Sequence, residues 1–469
     1  MPLAPEEQVG ASPTAAEVTA SDRGGVARRW IVGGLVGWAG LVGGAILWGV
    51  SLRARSDLGV DAPPFYGRYR DRYYGRFNGR IFGHFEAMLT DRLIVPIIVG
   101  AVLVIVAPIG FRRIPWRSIP VAAGGLSVTW GLVLQRIDGT ALAEPLTTKY
   151  DYLAGVHDIG SPLTYLRHFT EHLHQYPTHV KAHPPGLVLL LWVLDRCGLS
   201  GATPLLVLVL VAWAVAVGAV LVTLRAVAGE AAARRAALPV VLAPALIWVV
   251  TASDAIFAGV TAAAIALVTV ALVQDRSQAN RADRLSLAGG VLFGLALLLT
   301  YGAVPLLAVP GVVALRVRQL RPLLVAACGG VVVLGLAAAA GFWWFAGLAA
   351  TRAEYDVGIS RIRPYGYFLI GNLAVFAVIC GPAVAAGIAS MRRRTLDASL
   401  LCAGALVAVL ATDLSGLSKG EVERIWLLFV PWVVSGVAAA TPSSAPMRLL
   451  ILAQVACAIA VPVLLRTPN

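Results

Sequence analysis

What most constrains this chain is a succession of apolar runs, most of them long enough to cross a bilayer, separated by short polar stretches rich in arginine. About 20 apolar residues rising 1.5 Å each cover the ~30 Å of hydrocarbon in a membrane. Such runs lie near 30–50, 93–111, 119–136, 187–200, 203–225, 236–251, 252–273, 286–300, 303–315, 322–345, 367–390, 396–412, 425–440 and 448–465. With 58% hydrophobic and 13% charged residues, the composition excludes an ordinary water-soluble globule. Backbone inside hydrocarbon must satisfy its own hydrogen bonds, and the pattern is helical throughout. The expected fold class is therefore all-α, a polytopic transmembrane helical bundle of about 11–14 spans with juxtamembrane amphipathic helices.

Arginine placement orients the bundle. Arg28-Arg29, Arg112/Arg113/Arg117, Arg225/Arg234/Arg235, Arg276/Arg281/Arg284, Arg316/Arg318/Arg321 and Arg392-Arg393-Arg394 fit a cytoplasmic face. Residues 1–27, rich in Ala, Ser, Pro and Glu, read as a disordered cytoplasmic tail, and 28–469 as a single transmembrane domain. The connections 51–92, 137–186, 346–366 and 413–424 then face outward, from a plasma membrane. One parity problem arises: between His183 and Arg225 there must be one crossing or three, yet two apolar runs are present, so the short run after His183-Pro184-Pro185 reads as half-length or re-entrant. The net charge of +13 is dispersed among these clusters, and no basic region of domain size exists to bind nucleic acid. The five cysteines lie in apolar sequence without metal-ligand spacing and read as small core residues.

The loop 137–186 holds six of the seven histidines, with Asp138, Glu144, Asp151, Asp158 and Glu171. Long loops in compact proteins usually carry function. Carboxylates at the ends of membrane helices are costly unless solvated or paired, so Asp138 after the third run and Asp61 in a Pro-rich turn after the first are both candidates for catalysis. Asp254 and Tyr301, at outward bends inside apolar sequence, read as site residues more readily than as packing. Arg424, at the start of a span, needs an anionic partner against the helix dipole: Glu421, Glu423 or a lipid phosphate. Lys419 and Arg363 are placed to share such a phosphate. Arg68, Arg76 and Arg80, interleaved with tyrosines, suit an anchor on anionic membrane lipids. His168-Phe169-Thr170-Glu171-His172 fits the HxxEH pattern of inverted zinc peptidases, but the same residues form the polar side of an amphipathic helix and no third ligand is identifiable.

Tyr150-Asp151-Tyr152-Leu153, then His179-Val180-Lys181-Ala182-His183-Pro184-Pro185-Gly186, Ser253-Asp254, Tyr301-Gly302, Arg363-Pro364-Tyr365 and Gly420-Glu421-Val422-Glu423-Arg424-Ile425-Trp426 follow one another in an order that resembles the GT-C superfamily of membrane glycosyltransferases. Among these the chain is similar to actinobacterial cell-envelope members such as the methylthioxylose transferases of lipoglycan assembly. The resemblance covers residues 30–465 and implies a GT-C-like fold, a polyprenyl-phosphate-linked sugar as donor, an envelope glycan or lipoglycan as acceptor, and inversion at the sugar. It places the general base at an acidic residue of the first large outward loop, here Asp138 or Asp61, and leaves room for a divalent metal, Mg or Mn. Arg424, Lys419, Arg363 or Arg352 would hold the departing phosphate, with Glu423, Tyr301 and Asp254 around the donor, and His183 would bind phosphate or sugar. The competing class is a transporter or flippase of lipid-linked envelope precursors. Against it, no paired interrupted helices in matching halves are visible and few ionisable residues lie mid-membrane.

Overall fold

A computed structural model describes residues 15–53, 84–85, 89–137, 139, 141–156, 159–358, 360, 363–391, 396–440 and 444–466. They form an all-α bundle of a multi-pass membrane protein. Ten helical stretches are long and apolar enough to cross a bilayer. Taken as one broken span, the pair Tyr365–Cys380 and Pro382–Ala389 makes an eleventh, bent by 102° where a single span over 367–390 was expected. The bend has a local cause: Gly381 adopts φ +86°, and Pro382 starts the second helix without an amide to continue the first. The first helix runs Ala15–Arg53 and so begins inside the stretch assigned to the tail.

The parity problem resolves through length. Gly186–Arg196 has 11 residues, ~16 Å of helix, about half a bilayer. One full passage, Ala202–Ala228, then carries the chain from His183 to Arg225. The next passage is broken. Glu230–Val241 gives way to turns and the short helix Leu246–Val249 before Asp254–Leu272 begins. Non-helical backbone at this depth survives only with partners from neighbouring elements, and the Ala245 amide donates to Ile379 O at 2.9 Å.

Two ends of the bundle are chemically distinct. At one, Arg234 donates to the carbonyls of Phe111 and Ile114, Arg225 lies over the Trp116 ring, Arg316 pairs with Asp397 and Arg321 with Asp283. At the other gather the long loop 139–185, the N-terminus of Asp254–Leu272, the helix Trp344–Val357 and the turn 415–421 (the loop end). The strand pair His84–Phe85 with Leu465–Arg466 is the one sheet among the described residues. It ties the end of the last helix to the segment before Ile94–Arg113.

The passages approach closely because small residues line their crossings. Gly259 faces the backbone of Ala212, Gly404 that of Val309, and Gly290 that of Ala326, where an added Cβ would clash. Replacing Gly290 by Val is expected to destabilise the bundle by about 1–3 kcal/mol, the range for overpacking, read as a lowered thermal midpoint in detergent. The most interior passages are Asp254–Leu272 and Val422–Ala439. Each presents an ionisable residue at its loop-end tip.

Candidate functional site

Those two tips meet. Asp254, in the first turn of its helix, where the dipole favours a carboxylate, places Oδ2 3.5 Å from Arg424 Nε. Arg424 sits on the short helix Val422–Ile425, and its Nη1 donates to His179 Nε2 at 2.8 Å. His179 Nδ1 lies 3.4 Å from Asp151 Oδ2, and the other carboxylate oxygen of Asp151 accepts the Tyr152 amide at 2.7 Å. His183, one helical turn beyond His179, points Nε2 at Asp254 Oδ1 from 4.0 Å. Its Nδ1 lies 2.7 Å from the Tyr152 hydroxyl and 3.0 Å from the His179 carbonyl. Phe257, one turn inside Asp254, closes the floor with its ring centroid 4.9 Å from that of His183.

Burial sets the charge states at this cluster. Removal from water pushes the His183 imidazole down from its ordinary value, only partly opposed by the nearby Asp254 carboxylate, so it is neutral at neutral pH. Burial, with Asp254 and Asp151 adding to it, raises the Tyr152 hydroxyl far above its usual range, so it keeps its proton. Arg424 remains 22% exposed at its side chain. Nη1 is on His179, whereas the buried Nε faces Asp254 at 3.5 Å and makes no hydrogen bond among the described residues. The hydroxyl of Ser253, the residue before Asp254, is buried with no hydrogen-bond partner among the described residues.

A second network fixes the turn that delivers Arg424. The buried Asn372 side chain donates to Asp413 Oδ1 at 2.9 Å and to Ser418 O at 2.7 Å, and its own oxygen accepts the Gly420 amide at 3.1 Å. Lys419 donates its amide to the Tyr355 hydroxyl at 2.7 Å and its ammonium to Ser360 O at 3.0 Å. Burial pushes Tyr355 up to about 12, so it too stays protonated. Arg363 donates to Lys419 O, lies 3.7 Å from Glu421 and stacks over Phe368. Glu421 holds φ +60°, a left-handed conformation that a non-glycine residue adopts at a cost of roughly 1–2 kcal/mol.

Of the residues singled out in the sequence, His183, Asp254 and Arg424 therefore converge. Lys419 and Arg363 brace the adjoining turn. Glu423 is buried next to Arg424. Tyr301 packs edge-on against Trp344. Arg352 pairs with Asp356 on an exposed helix face, away from the cluster. Asp61 and Asp138 lie outside the described residues, although Ile137, just before Asp138, is buried at the end of the third passage. Asp151 and His179 were not assigned to the site. The signal for His179 was its four-residue spacing from His183, while Asp151 lay in the same histidine-rich loop with no pattern of its own.

Among the described residues no group of three or more His, Cys, Asp or Glu is arranged to hold a metal. Asp254 and Asp151 face a guanidinium and an imidazole, so the place between them suits an anion-binding cation rather than Mg or Mn. In the HxxEH segment, Glu171 bonds its own neighbour His168 at 2.9 Å on an exposed surface, and that contact draws the carboxyl below its ordinary value.

No family model and no curated protein matches the chain. Two solved structures from Archaeoglobus fulgidus are similar over 76% of it, each at 15% identity. One is the archaeal oligosaccharyltransferase AglB with an inhibitory peptide and a dolichol-phosphate, at TM-score 0.37 over 57% of that chain. The other is an oligosaccharyltransferase tethered to an acceptor peptide containing the NVT sequon, at TM-score 0.38 over 56% of that chain. The protein thus spans little more than half the length of either, and a likeness this distant says nothing of its activity.

Proposed function

We propose that the protein is an inverting glycosyltransferase that moves a sugar from a polyprenyl-phosphate donor to a cell-envelope glycan or lipoglycan at the outer face of the plasma membrane. The observation that carries this reading is Arg424: a guanidinium seated at the tip of an interior passage, held by Asp254 and His179, with its Nε donor lacking a hydrogen bond among the described residues. Three neighbouring loop-end cations are engaged. Lys181 pairs with Glu354, Lys419 with a carbonyl, and Arg363 with a carbonyl and Glu421. One guanidinium with a donor to spare matches a phosphodiester of single negative charge. As the sugar leaves, that phosphate gains charge, so Arg424 binds it more strongly in the transition state than in the ground state.

The chemistry balances without a further reactant. The acceptor oxygen attacks C1 of the sugar, the bond from C1 to the phosphate oxygen breaks, and the electron pair leaves with the polyprenyl phosphate. The acceptor proton passes to a carboxylate on the opposite face of the ring, Asp138 or Asp61. His183 and Tyr152, both neutral and hydrogen-bonded, line the site without adding charge against the donor.

Purified protein in vesicles, given a polyprenyl-phosphate sugar and an envelope glycan fraction, is expected to form a new glycosidic bond without any gradient. Movement of the lipid between leaflets with no bond formed would show a flippase instead.

A further inference from the structure

We infer that His179, held by Asp151, is a positioning residue for Arg424, fixing the guanidinium on the leaving-group side of the transferred sugar. The inference rests on the proposed role of Arg424 as phosphate ligand and adds two residues to it. A guanidinium has donors only. The 2.8 Å contact from Arg424 Nη1 therefore requires a lone pair on His179 Nε2, which puts the proton of a neutral ring on Nδ1. That proton faces Asp151 Oδ2, 3.4 Å away. Asp151 is itself held, because its other oxygen accepts the Tyr152 amide and its side chain is buried. The chain Tyr152 amide, Asp151, His179, Arg424 thus selects one imidazole tautomer and aims its lone pair at one guanidinium nitrogen. Carboxylates that orient metal-bound histidines work the same way.

Geometry separates this role from that of a base. Inverting chemistry places its two working groups on opposite faces of the sugar ring, roughly 6.5–9.5 Å apart in the hydrolytic counterpart. His179 Nε2 contacts Nη1 of Arg424, the proposed phosphate ligand itself, so it lies on the phosphate side and cannot also reach the acceptor hydroxyl in line. A neutral acceptor also suits the task. It orients Arg424 without cancelling the charge meant for phosphate, whereas a second carboxylate there would cancel it twice over.

The test uses full-length protein in nanodiscs and farnesyl monophosphate as probe, with binding read by tryptophan fluorescence and folding by thermal midpoint. Wild type is expected to bind and Arg424→Ala to lose binding. His179→Ala is expected to weaken binding by about 10- to 100-fold, the usual size of an orienting partner's loss, and Asp151→Ala by less. His179→Gln, whose amide oxygen can accept from Arg424 at similar reach, is expected to recover most of the affinity. A residue that merely ties the loop to the bundle would lower the thermal midpoint in both His179 variants and show no such recovery. If wild type binds, Arg424→Ala does not, and His179→Ala binds like wild type, the positioning role is overturned while the phosphate site stands. If Arg424→Ala binds as wild type does, the phosphate site itself is overturned, and the role of His179 with it.

Discussion

Replacing Arg424 by Leu is expected to abolish sugar transfer, with a fall in turnover of at least about 100- to 1,000-fold, the loss seen when one donor to a developing oxyanion is removed. Lysine should not rescue it, because a point charge cannot face Asp254 with one nitrogen and His179 with another as the planar fork does. Lost stability is a separable part of the effect. Leucine leaves the Asp254 carboxylate buried without its cation, and breaking a fully buried pair costs about 3–5 kcal/mol, here less because the Arg424 side chain is 22% exposed. Adding Asp254→Asn to the Leu variant removes the orphaned charge. The double variant is expected to regain most of the thermal midpoint and none of the activity, measured by transfer of labelled sugar from a polyprenyl-phosphate donor. Recovery of activity together with stability would mean that Arg424 serves only to neutralise Asp254.

A comparable loss is expected from the carboxylate on the acceptor side. Of Asp138→Asn and Asp61→Asn, one should lower kcat by about 100- to 10,000-fold, the range for removing a general base, with the thermal midpoint unchanged. Donor binding should survive, since the phosphate contacts lie on Arg424. The inactive variant of the pair would identify which loop supplies the base. If both retain wild-type rates, proton removal by either carboxylate is disproved.

The fold was largely legible because a bilayer imposes a length and a polarity on each passage, and both are local properties. Where the sequence misleads, the cause is also local but subtler. Residues 187–200 look like a span by apolarity, and only the parity of the crossings marked them as half-length or re-entrant; Gly198 and Gly201 take positive φ and the helix stops at Arg196. The 102° bend at Gly381 carries its warning in the Gly-Pro pair, which hydropathy alone ignores. The site was half legible. Asp254, His183 and Arg424 stand out as ionisable residues beside apolar sequence, which is expensive without a partner. Which partners they choose is a tertiary fact: His179 and Arg424 meet across 245 positions, and no local pattern encodes that. The partners of Lys419 and Arg363, which sequence reasoning aimed at the phosphate, are tertiary in the same way: the Lys419 ammonium donates to Ser360 O and Arg363 to Lys419 O.

The small strand pair at Leu465–Arg466 reaches back across the whole bundle. It moors His84 and Phe85, ahead of Ile94–Arg113, to the terminus of the last helix. Shearing off that helix would take away the partner strand and leave the early segment without its sheet mooring.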